Sequence, residues 1–293
     1  MVRVLSGSLP VAYSGEPGAF AEDAVLALFG DVGRTAVPGF REVFEAVASG
    51  RARAGVVPIE NLVNGTVRET YDLLLEHSLV IAGEVVVPVR LCLAALPGSS
   101  LDGIERVYSH IQALGQAEAF LRTRPWTTLT TYNTAGAGKL IAERGERGAA
   151  AVLSPRAAAL FGLEVLADGI ESVPDNRTRF LVLAPAGMPR DAYAPRGVAG
   201  EEGALVGRRT TLVFAVRNEP GTLLAALRTF AERGVNLSKL ESRPSRAAAW
   251  EYVFWADLDG DVADPAVAAA LDDLRSVSTM VRVLGSYPRA AWA

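Results

Sequence analysis

Asn218–Arg246 reads NEPGTLLAALRTFAERGVNLSKLESRPSR, and this stretch decides the architecture of the C-terminal part of the chain. Pro220 stands where a helix should open and Gly234 where it should stop. Proline lacks the N–H that a helix start leaves unpaired, and glycine tolerates the positive φ of a helix end. The spacing therefore predicts a helix from Pro220 to about Arg233. Working outward, Thr210–Val216 alternates as a strand, and Val235–Ser242 is a second strand followed by a turn containing Pro244. Trp250–Leu258 is an aromatic-rich third strand. Pro265 opens a second helix to about Leu274, and Met280–Leu284 is the last strand. The order βαββαβ predicts a ferredoxin-like unit.

Upstream, helical and strand patterns alternate as far as Leu183. Helices are predicted near Gly18–Phe29, Phe40–Ala48, Val67–Glu76, Ala113–Arg122, Ala135–Glu143 and Arg156–Phe161. Between them lie short apolar runs: Ala54–Val57, Val80–Val87, Arg90–Leu96, Glu105–Tyr108, Ala149–Leu153 and Phe180–Leu183. Such alternation implies α/β sheets with mostly parallel strands. Ala184–Arg209 breaks the pattern and is rich in Pro, Gly and Ala, as a linker would be. The expected domains are residues 1–187, a linker at 188–208, and 209–293.

With 50% hydrophobic and 21% charged residues, the composition is that of a foldable globular chain. A net charge of −4 without a long Lys/Arg run gives no footprint for nucleic acid. The longest apolar stretch, Leu79–Val89, is interrupted by Glu84 and Pro88 and falls short of the ~18 residues of a membrane span. The first residues lack the segments of a secretion signal, so a cytoplasmic location is expected. Cys92, the single cysteine, sits in an apolar alternation and reads as a buried strand residue.

The usual catalytic constellations are missing. Histidine occurs only at His77 and His110, and no metal-ligand cluster, phosphate-binding loop or nucleophile elbow is present. No cofactor and no metal are expected. Polar helix starts recur instead. Thr66-x-x-Glu69 and Ser109-x-x-Gln112 have capping-box spacing, Asn133–Thr134 opens a third helix, and Glu16-Pro17-Gly18 precedes a fourth. Helix starts carry unpaired N–H groups and partial positive charge, so several converging on one cleft would suit a small dianion. Ordinary capping is the plain alternative for each one.

Four stretches resemble prephenate dehydratases, in the family's order: AYSGEPGAFAEDA (Ala12–Ala24), VPIENLVNGTV (Val57–Val67), VYSHIQALGQAEAFL (Val107–Leu121) and DNRTRF (Asp175–Phe180). The C-terminal stretch quoted first resembles the family's regulatory ACT domain. The resemblance implies a two-lobed, periplasmic-binding-protein-like catalytic domain joined to a ferredoxin-like ACT domain. It implies a hydro-lyase, a carbon–oxygen lyase that converts prephenate to phenylpyruvate in phenylalanine biosynthesis without cofactor or metal. Phenylalanine is the implied effector, bound between two chains of a homodimer or homotetramer.

Carried over residue by residue, the resemblance makes Thr178 the donor to the departing hydroxyl; a plain strand hydroxyl is its ordinary role. Asn61, Ser109 and Glu60 join it as catalytic candidates, with an indirect role favoured for Glu60 because a carboxylate repels a dianion. Ser14, Thr66, Gln112, Gln116, Asn176, Arg179 and Phe180 are substrate-binding candidates. Arg179 either forks a substrate carboxylate or braces the lobes through an ion pair, and Phe180 also serves as core. Thr66 and Ser109 are both caps and carboxylate ligands. His110 is a loop hydrogen-bonder, and His77 a partner of a helix dipole. Asn218, Gly221, Thr222, Leu223, Asn236, Leu237, Glu241 and Ser242 are the effector-binding candidates, although Gly221 and Leu237 also serve the fold.

The chain departs from the bacterial pattern at Ala19, where threonine is common. Gly18-Ala19-Phe20 and Asn133–Lys139 (NTAGAGK) are more similar to plant arogenate dehydratases. Arogenate or dual use therefore stands as the alternative, and a non-catalytic amino-acid sensor as the second, less favoured one. Leu62 replaces a usual serine and Ile111 a usual proline.

Overall fold

The computed structural model describes residues 9–188, 193, 205–244 and 252–290. The elements begin β1 (Val11–Ser14), α1 (Phe20–Phe29), β2 (Arg34–Val37), α2 (Phe40–Ala48), β3 (Ala54–Asn61), β4 (Gly65–Thr66), α3 (Arg68–Glu76), β5 (Leu79–Pro88) and β6 (Cys92–Ala95). They continue β7 (Arg106–Ser109), α4 (Ile111–Gln116), α5 (Glu118–Leu121), β8 (Thr127–Thr130), α6 (Thr134–Arg144), β9 (Ala149–Leu153), α7 (Pro155–Leu160), β10 (Glu164–Asp168) and β11 (Arg177–Pro185). The last six are β12 (Leu205–Ala215), α8 (Thr222–Ala231), β13 (Leu237–Pro244), β14 (Tyr252–Asp259), α9 (Pro265–Val277) and β15 (Met280–Ala290). Two compact units result. One takes the chain up to His77 together with Val85–Leu181; the other takes Ser78–Glu84 and the chain from Val182 onward. The division passes through β5 and β11.

The first unit holds two lobes, each built on a sheet. The first sheet has the order β2-β1-β3-β11-β5, with β4 paired to β3. Strand β1 is parallel to both neighbours, Val11 pairing with Arg34 and with Ala54. Val11, Ala12 and Tyr13 are all buried; a strand covered on both faces reads as an unbroken apolar run rather than an alternation. The second sheet has the order β10-β6-β9-β7-β8. Its alternation shows the period of two: Leu93 and Ala95 enter one apolar cluster, Cys92 and Ala94 the other. This sheet is mixed, not mostly parallel. β7 is parallel to β8 and β9, but β6 runs against both β9 and β10.

The helix expected over Ala113–Arg122 is two short ones, divided at Ala117, where φ is −103° and ψ 11°. Strands β1, β2, β8 and β10, each four or five residues long, are not among the expected apolar runs; β2, β8 and β10 have no fully buried residue to mark them.

In the second unit, the four-stranded sheet has the order β13-β14-β12-β15 with all pairs antiparallel. That is the ferredoxin-like order predicted from βαββαβ. α8 and α9 cover one face through Ala226, Phe230, Ala270, Leu271 and Leu274. β12 begins at Leu205, inside the stretch read as linker, and β15 runs past Leu284 to Ala290; the two extensions pair with each other, Leu205 with Ala290. Neither extension has a strand-like pattern alone, so each depends on its partner. The rest of the proposed linker, and Trp250, lie outside the described residues. Pro220 precedes α8 rather than opening it: Gly221, with φ of 87°, occupies the N-cap position.

α2 packs on β3 across Gly55, where an added Cβ would lie 2.6 Å from Val43 Cγ1 and 3.0 Å from Val47 Cγ2. Replacing Gly55 with Ala should therefore cost about 1–3 kcal/mol of stability through overpacking, measured by urea unfolding. An unchanged midpoint would show that α2 can shift freely.

Candidate active site

Five helices of the first unit begin at one cavity of about 560 Å³. Its lining includes the starts of α1 (Ala19, Phe20), α2 (Gly39, Phe40), α3 (Val67, Arg68), α4 (His110, Gln112) and α6 (Asn133, Thr134). The strands feeding these helices end there too, in Ser14 and Asn61, and the cavity occupies the position where open α/β sheets bind ligands. The first N–H groups of each helix have no partner within it. Phe20, Phe40 and Phe180 supply apolar wall. Arg68 brings a cationic side chain and Glu69 an anionic one.

Two of the expected caps are wrong in detail. Ser109 does not cap α4. It is the last residue of β7, fully buried, and its hydroxyl donates to the Val152 carbonyl at 2.6 Å. The next residue takes over, His110 Nδ1 accepting from Gln112 N–H at 3.3 Å. Ser109 is thus committed inside the sheet and is not among the cavity residues. Thr66 is not the N-cap residue of α3 either. It pairs with Glu60 in the β3–β4 hairpin, Val67 takes the N-cap without a side-chain bond, and Thr66 lines the cavity from the hairpin. Asn133 does cap α6, accepting from Gly136 N–H at 2.5 Å.

Thr178, on β11, lines the cavity and is only 9% exposed. The two hydrogens of Asn61 Nδ2 are shared among three acceptors, Thr178 Oγ1 at 2.9 Å, Asn176 Oδ1 at 2.9 Å and the Arg177 carbonyl at 3.1 Å. Asn61 Oδ1 accepts from Val63 and Asn64 N–H at 3.0 and 2.9 Å, closing the hairpin turn. Every polar atom of Asn61 is therefore engaged, and Asn61 also lines the cavity. Because Thr178 receives this bond as an acceptor, its own hydrogen remains free to donate. Asn176 is buried behind Asn61 and does not line the cavity.

Glu60 and Arg179 lie on the neighbouring strands β3 and β11. They form an ion pair with Arg179 Nη2 3.3 Å from Glu60 Oε2, the arginine side chain being 3% exposed. Neither lines the cavity. The pair links two neighbouring strands of one sheet. Ser14, Gln112 and Gln116 do line the cavity, the two glutamines from one face of α4. His110 also lines it. Burial holds its pKa below the usual histidine value, so the ring is neutral near pH 7; with Nδ1 accepting, the proton resides on Nε2. His77 ends α3 with its ring 5.3 Å from that of Phe44.

At one rim, Glu16 receives Tyr132 Oη and Lys139 Nζ, each at 3.0 Å. Deeper, Arg156 of α7 bonds Glu22 of α1 at 2.7 Å and also Asp23, while Arg34 reaches Glu22 at 2.5 Å. Burial pushes the Glu22 carboxyl up, but the Gly18 N–H and the two guanidinium groups outweigh it and bring the pKa down to about 2. Burial raises that of Asp23 and takes the Tyr13 phenol up to about 12.

A family model described as prephenate dehydratase matches residues 11–187, and one described as the ACT domain matches 210–276. The chain belongs to the prephenate dehydratase family. It is 38% identical over 288 residues to a bifunctional chorismate mutase/prephenate dehydratase of Aquifex aeolicus, covering 98% of this chain and 75% of that protein. It is likewise 38% identical to arogenate dehydratase/prephenate dehydratase 2 of Arabidopsis thaliana, covering 95% of this chain and 72% of that one. Among solved structures, the prephenate dehydratase of Arthrobacter aurescens in complex with L-Phe superposes with a TM-score of 0.82 at 34% identity, covering 96% of this chain and 90% of that one. A chain described as GqqA, a novel type of quorum quenching acylase, superposes with a TM-score of 0.82 at 32% identity, covering 95% and 97%.

Within the ACT sheet, strand register sorts the effector candidates. Asn218, Gly221, Thr222 and Leu223 form the β12–α8 turn, where Thr222 Oγ1 donates to the Arg217 carbonyl at 2.6 Å. Ser242 pairs with Phe254, which pairs with Phe214, so Glu241 and Ser242 lie at the turn's end of the sheet. Asn236 and Leu237 lie beyond the other end of α8, a ten-residue helix about 15 Å long. Asn236 bonds Asp259 there at 2.7 Å.

Reasoning from sequence missed Arg68 and Tyr132. Arg68 stands in the first turn of the expected helix Val67–Glu76, where its charge could have marked it; Tyr132 had no signal beyond standing before the Asn133 cap.

The depressed Glu22 pKa gives a stability contribution that is complete above the ordinary carboxylate value of 4.5 and is lost as pH falls toward about 2. Thermal melts across that window should show Glu22→Gln losing less on acidification than the parent. Parallel losses would show that Glu22 carries no such linkage.

Proposed function

We propose that this chain catalyses the decarboxylating dehydration of prephenate to phenylpyruvate, with phenylalanine as allosteric effector, in the cytoplasm and as a homo-oligomer. The observation that carries this reading is the Asn61–Thr178 bond. Thr178 Oγ1 accepts from Asn61 and lines the cavity, so its own hydrogen is available to a group bound there. In the reaction the ring carboxylate leaves as carbon dioxide, its bonding electrons enter the ring, and the hydroxyl on the opposite ring carbon departs. That hydroxyl takes a proton and leaves as water, and the ring becomes benzenoid. A neutral donor held at the departing oxygen stabilises the developing charge without first being desolvated. The helix starts and Arg68 suit the two carboxylates; Phe20, Phe40 and Phe180 suit the ring. His110 Nε2–H is a second neutral donor.

The split of the effector candidates between opposite ends of α8 supports a phenylalanine site completed by a second chain. Pairing would also cover β13, an edge strand whose Leu240 is 44% exposed.

Arogenate as substrate is the second reading, favoured by Glu69 in the lining: a carboxylate there tolerates arogenate's ammonium better than prephenate's keto group.

Purified protein offered prephenate, arogenate and an N-acyl amide, with and without phenylalanine, should consume a cyclohexadienyl acid and yield phenylpyruvate or phenylalanine. Turnover of the amide alone would overturn the proposal. Thr178→Ala should lower kcat by roughly 10²–10³ with little change in KM, and Thr178→Ser should retain most of the rate. Asn61→Leu should lower kcat in the same direction by freeing the Thr178 rotor. Full turnover by Thr178→Ala would remove its role.

A further inference from the structure

Glu84 is fully buried in the second unit and is held by both β12 and β15. Arg209 Nη1, on β12, lies 2.9 Å from Glu84 Oε1 and 2.7 Å from Oε2. The Ala290 N–H, on β15, donates to Oε1 at 3.0 Å. Arg209 Nε is in turn 3.9 Å from Asp257 on β14. Asp257 accepts from Thr211 at 2.6 Å, and the Thr211 hydroxyl meets Tyr287 Oη at 2.7 Å. One carboxylate of β5 is thereby tied to a polar network spanning β12, β14 and β15. Alongside it, Gly285 of β15 approaches β5 so closely that an added Cβ would lie 2.1 Å from the Ile81 carbonyl oxygen.

Burying a carboxylate and a guanidinium costs more in desolvation than an apolar pair of the same volume would. Stability alone therefore does not account for the position. Its place in the chain does. Past Glu84, β5 runs on to Pro88, and Val89 lines the active-site cavity while donating its N–H to the Asn176 carbonyl at 2.7 Å. β11 carries Thr178 and Phe180 at the cavity, and its later residue Val182 packs against Gly83 within the second unit. The two strands that pass between the units are thus the two that bring Val89 and Thr178 to the cavity.

We propose that Glu84 is a positioning residue that links the state of the ACT sheet to the cavity end of β5, so that the phenylalanine response of turnover passes through its bonds to Arg209 and Ala290. A shift of β12 against β15 on effector binding moves both partners of one buried carboxylate. Because a buried ion pair has one good arrangement rather than a continuum, β5 follows. This inference rests on the reading of the C-terminal unit as a phenylalanine sensor.

The test uses the full chain, with L-phenylalanine binding followed by calorimetry and prephenate turnover measured with and without it. Glu84→Gln should bind phenylalanine as the parent does and keep its basal turnover. Its ratio of turnover with and without phenylalanine should fall to near one, a loss of about fivefold or more in coupling. Leaving Arg209 without its partner can unfold the chain, so Glu84→Met with Arg209→Met, which removes both charges at similar volume, is measured beside it and should give the same uncoupling. A parent-like response in either folded variant overturns the inference alone, and so does failure of both to fold, because a coupling role leaves the fold intact. A parent chain that binds no phenylalanine overturns the sensor reading, and this inference with it.

Discussion

Helix starts leave N–H groups that no residue of the helix can satisfy, and the active site is built from that deficit. Five helices of the first unit open onto one cavity, so their unpaired amides and partial positive charges converge there. Asn133 and His110 each satisfy one such group from the side. The two sheets serve this arrangement by ending their strands at one place. On the function proposed, the helix starts would face the carboxylates of a dianion, leaving side chains to position the ring and assist the departing hydroxyl.

The charged residues mostly stand back from the cavity. Glu60 and Arg179 neutralise each other between β3 and β11, and Glu22, Asp23, Arg34 and Arg156 neutralise one another between α1, β2 and α7. In the function proposed, this separation leaves a neutral hydroxyl, Thr178, at the cavity; Asn61 donates to its oxygen from a turn that its own Oδ1 closes. One asparagine thus links the β3–β4 hairpin to that hydroxyl.

In the second unit the same economy serves a different end. A buried carboxylate on β5 shares partners with β12 and β15, where a leucine would have packed at lower cost. Small movements of a sheet become discrete when a buried charge must keep its partners, and two strands that reach the cavity also contribute residues to that unit.

The amino-acid sequence alone determined the class of the fold and some of the residues that line the cavity, among them Ser14, Asn61, Thr66, Gln112, Gln116 and Thr178. The proline-to-glycine span of the helix after Asn218, the βαββαβ order, the recurring polar helix starts and the Thr178 motif were all legible, because each is a local pattern carried by residues near one another in the chain. Tertiary structure alone decided what each residue does. Ser109 and His110 are adjacent, yet the pleat sends the first into the sheet against Val152 and leaves the second at the helix start. Thr66 became a hairpin residue because Glu60 pairs with it, and the ends of β12 and β15 are strands only because they find each other. Hydrogen-bond partners 115 or 117 residues apart, as Asn61 is from Asn176 and Thr178, leave no periodic mark in sequence; their encounter depends on how sheets are ordered, which only the folded chain specifies.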